Sequence, residues 1–259
     1  YAALPYSGSY CLTTLLCAAD RKRQIDEIRA RLDAGMPCRV VSTSLIEAGV
    51  DVDFPVAYRE QCGLDSLLQT AGRCNREGRN EPADSPVYRF QLDGQAAPQM
   101  LAQNISAMNY AARRHADLSS PEAIKAYFNE LFNLRSPDLL DKKHILSMIE
   151  NGVSGCMLPF AQIAELFRLI ETPTRTVYLP LGAGAELCRQ LRGGKMSRGL
   201  LRRLGVYSVE CYDAQFKALD RSGALELLPD GSAILIDMTK YDPKTGLALD
   251  AETGLGLFI

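Results

Sequence analysis

Several residue types and patterns are scarce in this 259-residue sequence, and each scarcity closes a class of readings. Tryptophan is absent and aromatic residues make up 7%, so a grip on single-stranded nucleic acid would come chiefly through phosphates and little through base stacking. There are only two histidines, His115 and His144, far apart on helical segments, and none of the eight cysteines forms a CxxC pair. No metal-ligand set results, and the thiols read as reduced and mostly buried. The longest uncharged stretches, Tyr1–Ala19 and Gly94–Ala112, are broken by proline, glycine and polar residues. Neither resembles a spanning helix or a secretory leader, so the expected address is cytoplasmic, with no membrane partner. A net charge of −2 gives no whole-chain positive field, and contact with a polyanion would need a local patch. Also missing are a G-x-x-x-x-G-K-[ST] phosphate loop, an acidic box for magnesium and a His-Asp dipeptide for a two-metal centre.

What is present is an ordinary globular composition, 47% hydrophobic and 23% charged, which excludes disordered, collagen-like and coiled-coil chains. The length leaves room for two modest domains, or one domain with an appendage. The chain opens at Tyr1 without a methionine, and is expected to be a piece of something longer.

Hydrophobic periodicity predicts an amphipathic helix over 19–32, with Ile25, Ile28 and Leu32 on one face and Gly35 closing it. A short buried strand follows at Cys38–Thr43, then a strand at Asp53–Tyr58, a helix at Leu64–Arg73 and a strand at Val87–Leu92. Strands alternating with helices argue for a parallel sheet. After Gly94 the pattern turns helical, near Ala97–Ala116, Pro121–Leu134, Pro137–Ile149 and Pro159–Ile170, with Ser120 a plausible cap before a first-turn proline. From Thr174 the alternation returns: strands in TVYLPL, VYSVECY and SAILIDM, and helices at Glu186–Leu191, Arg198–Leu204 and up to Leu219. The fold class is therefore α/β: a parallel sheet with flanking helices, a helical connector, and a smaller mixed α/β domain.

Two segments carry chemistry. STSLIEAGVDVD, residues 42–53, follows a predicted strand, where the carboxyl edge of a parallel sheet presents ligand loops. About twenty residues later, Gln69, Gly72, Arg73 and Arg76 follow the spacing Q-x-x-G-R-x-x-R. On a helix this puts the two guanidiniums a turn apart on one face, an arrangement suited to polyphosphate. Two further glycine pairs read as turns. Gly182-x-Gly184 lacks the third glycine of a dinucleotide fingerprint, and Gly193-Gly194-Lys195 is followed by Met196. Between Ala185 and Arg203 stand Arg189, Arg192, Lys195, Arg198, Arg202 and Arg203, opposed only by Glu186. This basic stretch could track a DNA backbone or form a solvated face.

STSLIEAGVDVDF and DSLLQTAGRCNREGR together resemble motifs V and VI of superfamily 2 helicases. The version is that of the CRISPR-associated helicase-nuclease of type I interference systems. YCLTTLLCAADRKRQIDEIRARL is similar to that family's motif IV region, and LLDKKHIL, LPFAQIAELFRLIE, LLRRLGVYSV and YDPKTGL to its connector and C-terminal domain. The resemblance implies a second RecA-like domain over 1–95, a helical connector over 96–172 and an accessory C-terminal domain over 173–259. It implies an ATP-driven, 3′-to-5′ single-stranded DNA translocase in antiviral defence, whose ATP and magnesium are held mainly by a first RecA-like domain not in this sequence.

Carried over residue by residue, the resemblance makes Arg76 the arginine finger, Arg73 its companion and Gln69 a sensor near the same phosphate. It sets Gly49 and Asp51 at the nucleotide edge, Ser42 and Thr43 on the DNA backbone, and Glu47 between the two ligands. Arg198 and Arg202 are candidates for a DNA track. The implied partners are single-stranded DNA, the upstream RecA-like and nuclease domains, and the RNA-guided surveillance complex (Cascade). Two positions depart from the pattern: Ser44 stands where glutamine is common, and Asp20 where a basic residue or histidine is usual. The alternative is a non-catalytic module that grips DNA or docks on Cascade. A metabolic α/β enzyme is remote, for want of a phosphate-cradling loop or a paired histidine and carboxylate.

Overall fold

The computed structural model describes residues 7–47, 49–135, 140–167 and 173–248. Ala48 of the 42–53 motif, positions 137–139 of one expected helix and 168–170 of another lie outside them. The described residues group into two compact units. One lies within Tyr1–Ala57, Gln69–Val87 and Pro173–Ile259, the other within Tyr58–Leu68 and Tyr88–Thr172.

The first unit begins with β1 (Ser9–Leu12), α1 (Ala18–Asp33) and β2 (Arg39–Ser42). The strands pair in parallel from Ser9 opposite Arg39 to Leu12 opposite Ser42, with the helix as crossover. Ile28 on the apolar stripe of α1 is fully buried with Leu12, Leu16, Val50 and Val52. Burying one such side chain stabilises by about 1.5–3 kcal/mol. Gly35, at φ +64°, turns the chain after the helix in a conformation that side chains resist. β2 was expected to be buried and is not: its residues alternate between exposed and half-buried, with Val41 45% exposed. Among the described residues β1 is its only strand partner, and parallel strands are buried on both faces only within a wider, helix-covered sheet.

The expected strand at 53–58 lies further along, as β3 (Ala57–Glu60), paired with β4 (Val87–Phe90). Phe54 is used instead in an isolated parallel bridge to Cys74. α2 (Leu64–Ala71) lies between the two strands.

Most of β3 and β4 belongs to the second unit, with α3 (Ala102–Ala112), α4 (Pro121–Asn133), α5 (Ile145–Ser154) and α6 (Phe160–Leu166). Ser120 caps α4, its Oγ accepting from the Ala123 amide at 3.2 Å, with Pro121 in the first turn. The core joins Leu64, Ala107, Met108, Ala111, Tyr127 and Leu131. The Tyr127 hydroxyl donates to Asp65 Oδ1 at 2.6 Å and accepts from Asn104 Nδ2 at 3.1 Å. Burial, then the bond to Asp65, pushes this phenol well above the usual tyrosine range.

The remainder of the first unit is a four-stranded mixed sheet. It contains β5 (Thr174–Tyr178), α7 (Ala183–Arg192), α8 (Arg198–Leu204), β6 (Ser208–Tyr212), α9 (Asp213–Arg221), β7 (Leu225–Leu227) and β8 (Ala233–Leu235). The strand order is β6-β5-β8-β7, parallel only between β5 and β8. β8 is buried on both faces, as alternation requires of a central strand. Ile234 packs with Leu187, Leu191, Leu200 and Leu204 of α7 and α8, while Ala233 and Leu235 join Phe216 and Leu219 of α9. Gly182, at φ +50°, precedes α7 and Gly194, at φ +73°, follows it, so the Gly193–Gly194 pair lies in a turn as expected, whereas of the first pair only Gly182 does and Gly184 is buried within α7.

A short hairpin, β9 (Tyr241–Asp242) and β10 (Gly246–Leu247), ends the described chain. It returns to the start of the unit, where the Leu247 amide bonds to Leu15 O at 3.0 Å. Gly246 has φ +92°, and a Cβ there would stand 2.5 Å from the Leu15 carbonyl carbon. Only glycine fits this approach. No helix among the described residues is long and apolar enough to cross a membrane, and no cluster of three potential metal ligands occurs among them.

Candidate nucleotide-edge site

Two chain segments meet at this site, 47–54 and 73–77, and backbone bonds zip them together. The Phe54 amide donates to Arg73 O at 2.9 Å and the Asn75 amide to Phe54 O at 2.8 Å. The Asp53 carboxylate accepts from the Arg76 amide at 2.7 Å and from the Glu77 amide at 3.4 Å. The expectation that Arg73 and Arg76 share a helix face does not hold, because α2 stops at Ala71. The chain there turns into the bridge with Phe54, and Asn75 takes a left-handed φ of +48°, which asparagine tolerates better than most side chains. Asn75 and Asn80 then close the loop reciprocally, at 2.8 and 2.9 Å.

Both guanidiniums nonetheless converge on the 47–53 loop. Arg73 Nη2 donates to Glu47 O at 2.8 Å, while its Nε is buried with no hydrogen-bond partner among the described residues. Arg76 Nη1 forms an ion pair with Asp51 Oδ1. That pair is solvated, the side chains being 42% and 71% exposed, and such pairs contribute about 0–1 kcal/mol. Arg29 of α1 reaches the same loop, its Nε donating to Asp51 O at 2.7 Å. Gly49 is exposed at φ +76° with open space around it. Beside it a shallow groove of about 220 Å³ runs between α1 and Gly49–Val50, lined by Arg21, Lys22 and Arg29 against Asp26. Gln69 is exposed on α2. Arg73, Arg76, Glu47, Gly49 and Asp51 thus come together, joined by two groups that the motif spacing did not single out, Asp53 and Arg29. Asp53 lies two residues beyond Asp51, and an acidic i, i+2 pair leaving a strand edge was its available signal.

The Ser42 hydroxyl lies within reach of Leu12 O at 3.1 Å and Thr43 O at 2.8 Å, and donates to one of them. Thr43 Oγ1 is buried without a partner among the described residues. Asp20, the departure in the motif IV region, accepts from Tyr241 Oη at 2.8 Å and from Arg23 Nη2 at 3.2 Å. Its carboxylate is thus engaged within the unit.

The basic stretch is less free than its sequence implies. Arg189 pairs with Glu186, as that one opposing acid suggested, but Arg192 also pairs with Glu226 at 2.7 Å. Strand β7, which no periodicity announced, brings in that second carboxylate. Lys195, Arg198, Arg202 and Arg203 are exposed and have no ion-pair partner among the described residues. Six of the eight cysteines are buried, Cys38 is half-buried and Cys156 exposed. Burial pushes the Cys211 thiol up to about 12.

Residues 6–79 match the family model of the C-terminal part of the CRISPR-associated nuclease/helicase Cas3. The protein of that name from Haloferax volcanii is 24% identical over 159 residues, covering 52% of this chain and 17% of its own length. Its namesake from Methanothermobacter thermautotrophicus is 31% identical over 83 residues, covering 31% and 10%. The chain therefore spans less than a fifth of either relative. In fold it is similar to T. fusca Cas3 crystallised with ATP, with a TM-score of 0.53 at 14% identity over 90% of this chain and 33% of that one. It is also similar to a chain of a CRISPR RNA-guided surveillance complex in a pre-nicking state, with a TM-score of 0.51 at 14% identity over 95% and 38%. By family model over residues 6–79, by sequence relatives and by mixed α/β fold, this chain is similar to the C-terminal part of Cas3 proteins.

Proposed function

We propose that this chain supplies the second RecA-like domain (1–95), the helical connector (96–172) and the accessory domain (173–259) of an ATP-dependent, 3′-to-5′ single-stranded DNA translocase. The whole protein would act in the cytoplasm in CRISPR interference, feeding target DNA to its nuclease. The observation that carries this reading is the convergence of Arg73 and Arg76 on the loop bearing Glu47 and Asp51, one with a buried Nε that has no partner among the described residues and the other exposed.

That donor set fits a polyphosphate. ATP with magnesium, held mainly by the upstream RecA-like domain, supplies the transferable phosphoryl group. Arg76 exchanges its weak partner Asp51 for phosphate oxygens, because a bidentate guanidinium–phosphate contact in a closing cleft outweighs a solvated ion pair. Asp51, released, becomes an acceptor for ribose hydroxyls, and Gly49 leaves the backbone clear for close approach. Arg73 holds the loop through Glu47 O and keeps donor capacity in reserve, while Gln69 adds a hydrogen bond near the same phosphate. Fingers of this kind accelerate phosphoryl transfer by ~10³–10⁵. Ser42 and Thr43 bind the DNA backbone, and Glu47, on the same loop, links strand position to nucleotide state. Closure of the cleft on ATP and its opening after hydrolysis move the strand.

A second reading, a DNA-gripping or Cascade-docking module without hydrolysis of its own, is favoured by Lys195, Arg198, Arg202 and Arg203, exposed around α8 with no ion-pair partner among the described residues. The test of the first reading is ATP turnover by the 259-residue chain alone and by the complete protein. The chain alone is expected to hydrolyse no ATP and the complete protein to do so when DNA is added. Turnover by the isolated chain would contradict the proposal.

A further inference from the structure

Helix α1 is gripped at both ends by bonds that cross long stretches of sequence. At its start the Cys17 amide donates to Tyr241 Oη at 3.1 Å, and that hydroxyl donates to Asp20 Oδ2 at 2.8 Å. One turn on, Gln24 Nε2 lies 3.0 Å from both Pro243 O and Lys244 O, and Arg23 Nη2 lies 3.2 Å from Pro243 O. Tyr241 is 6% and Gln24 3% exposed, so these are interior contacts of the β9–β10 hairpin with the helix. Cys17 itself packs into the core that holds Val177, Phe216 and Leu235 of the C-terminal sheet. Toward the other end, Arg29 Nε donates to Asp51 O. Asp20 and Arg29 are nine residues apart, roughly 13 Å of continuous helix, and Ile28 beside Arg29 is wholly buried.

We propose that α1 is a strut through which the C-terminal hairpin sets the position of the Asp51 loop, with Tyr241, Gln24 and Arg29 as positioning residues. A hydrogen-bonded helix moves as one body, so the hairpin fixes where Arg29 meets Asp51 O. Asp51 in turn holds Arg76. Only the bearing of this strut on nucleotide turnover rests on the motor reading; the mechanical coupling does not.

The test is amide hydrogen exchange on the 259-residue chain, without nucleotide. Tyr241→Phe keeps the ring and removes the hydroxyl. It is expected to raise exchange at the hydrogen-bonded Phe54, Asn75 and Arg76 amides of the loop pair about five- to tenfold, as local opening grows easier, while the β5–β6 ladder stays protected. Arg29→Gln is expected to raise exchange at these three amides comparably and to leave the hairpin amides unchanged. The double variant is expected to equal Arg29→Gln alone at these amides, because the route is already cut. Additive effects there, or a Tyr241→Phe effect confined to the hairpin and the first turn of α1, would overturn the strut. If Tyr241→Phe also deprotects the β5–β6 ladder, Gln24→Met, which breaks the second grip, decides by the same comparison with Arg29→Gln. Since no nucleotide is used, a failure here leaves the ATP experiment standing, and the converse also holds.

Discussion

The loop pair 47–54 and 73–77 and the sheet β5–β8 belong to one unit yet are built on opposite principles. The sheet is saturated: β8 is buried on both faces, α9 closes one side and α7 with α8 the other. Its charges lie at the rim in exposed pairs such as Arg192–Glu226. The loop pair is undersatisfied, with a buried Arg73 Nε lacking a partner among the described residues and Arg76 held by one solvated carboxylate. An unpartnered buried donor costs stability, and an arginine held by one solvated carboxylate can exchange that partner at little cost. The sheet is held by packing, whereas the loop pair is held by polar contacts that solvent reaches.

Substitutions should separate the two regions sharply. The largest effect is expected from Phe216→Ala in the sheet core. It should lower unfolding free energy by about 3–5 kcal/mol, read from the denaturant midpoint, and it also removes the ring under Arg175. Gly246→Ala should cost about 1–3 kcal/mol through left-handed strain and the clash with Leu15. A melting temperature equal to the parent's would mean that the hairpin does not bind β1–α1 as described. Arg76→Ala, in contrast, should shift stability by less than about 0.5 kcal/mol. A larger loss would make this arginine part of the scaffold and erase the comparison. Smallest in stability but distinct in binding is Arg198→Glu with Arg202→Glu. If α8 tracks a DNA backbone, the slope of log affinity against log salt should flatten by about one to two units, and an unchanged slope would dismiss that track.

Legibility followed the same divide. Helices with a strong apolar stripe were readable: α8 occupies the residues predicted, and α1 differs by one residue at each end. The motif spacing named Arg73 and Arg76 and the family resemblance named Asp51, and these meet at the loop, whereas Gln69 is exposed on α2. The geometry of the loop was not readable. A helix of period 3.6 continues through Gly72 and Arg73 on paper, whereas the long-range bridge from Phe54 to Cys74 and the left-handed Asn75 end it. The same holds for β7, β9 and β10, strands of two or three residues with no room for periodicity. Through them Glu226 reaches Arg192 and Tyr241 reaches Asp20, and so Asp20, which departs from the motif IV pattern, takes a place inside the unit.

Arg76 separates a motor part from a passive scaffold most directly. In the complete protein, DNA-stimulated ATP turnover by Arg76→Ala should fall at least about a hundredfold, while the melting temperature stays at that of the parent. Turnover within a few-fold of the parent, with the fold intact, would contradict the claim that this guanidinium completes a nucleotide site built by another domain.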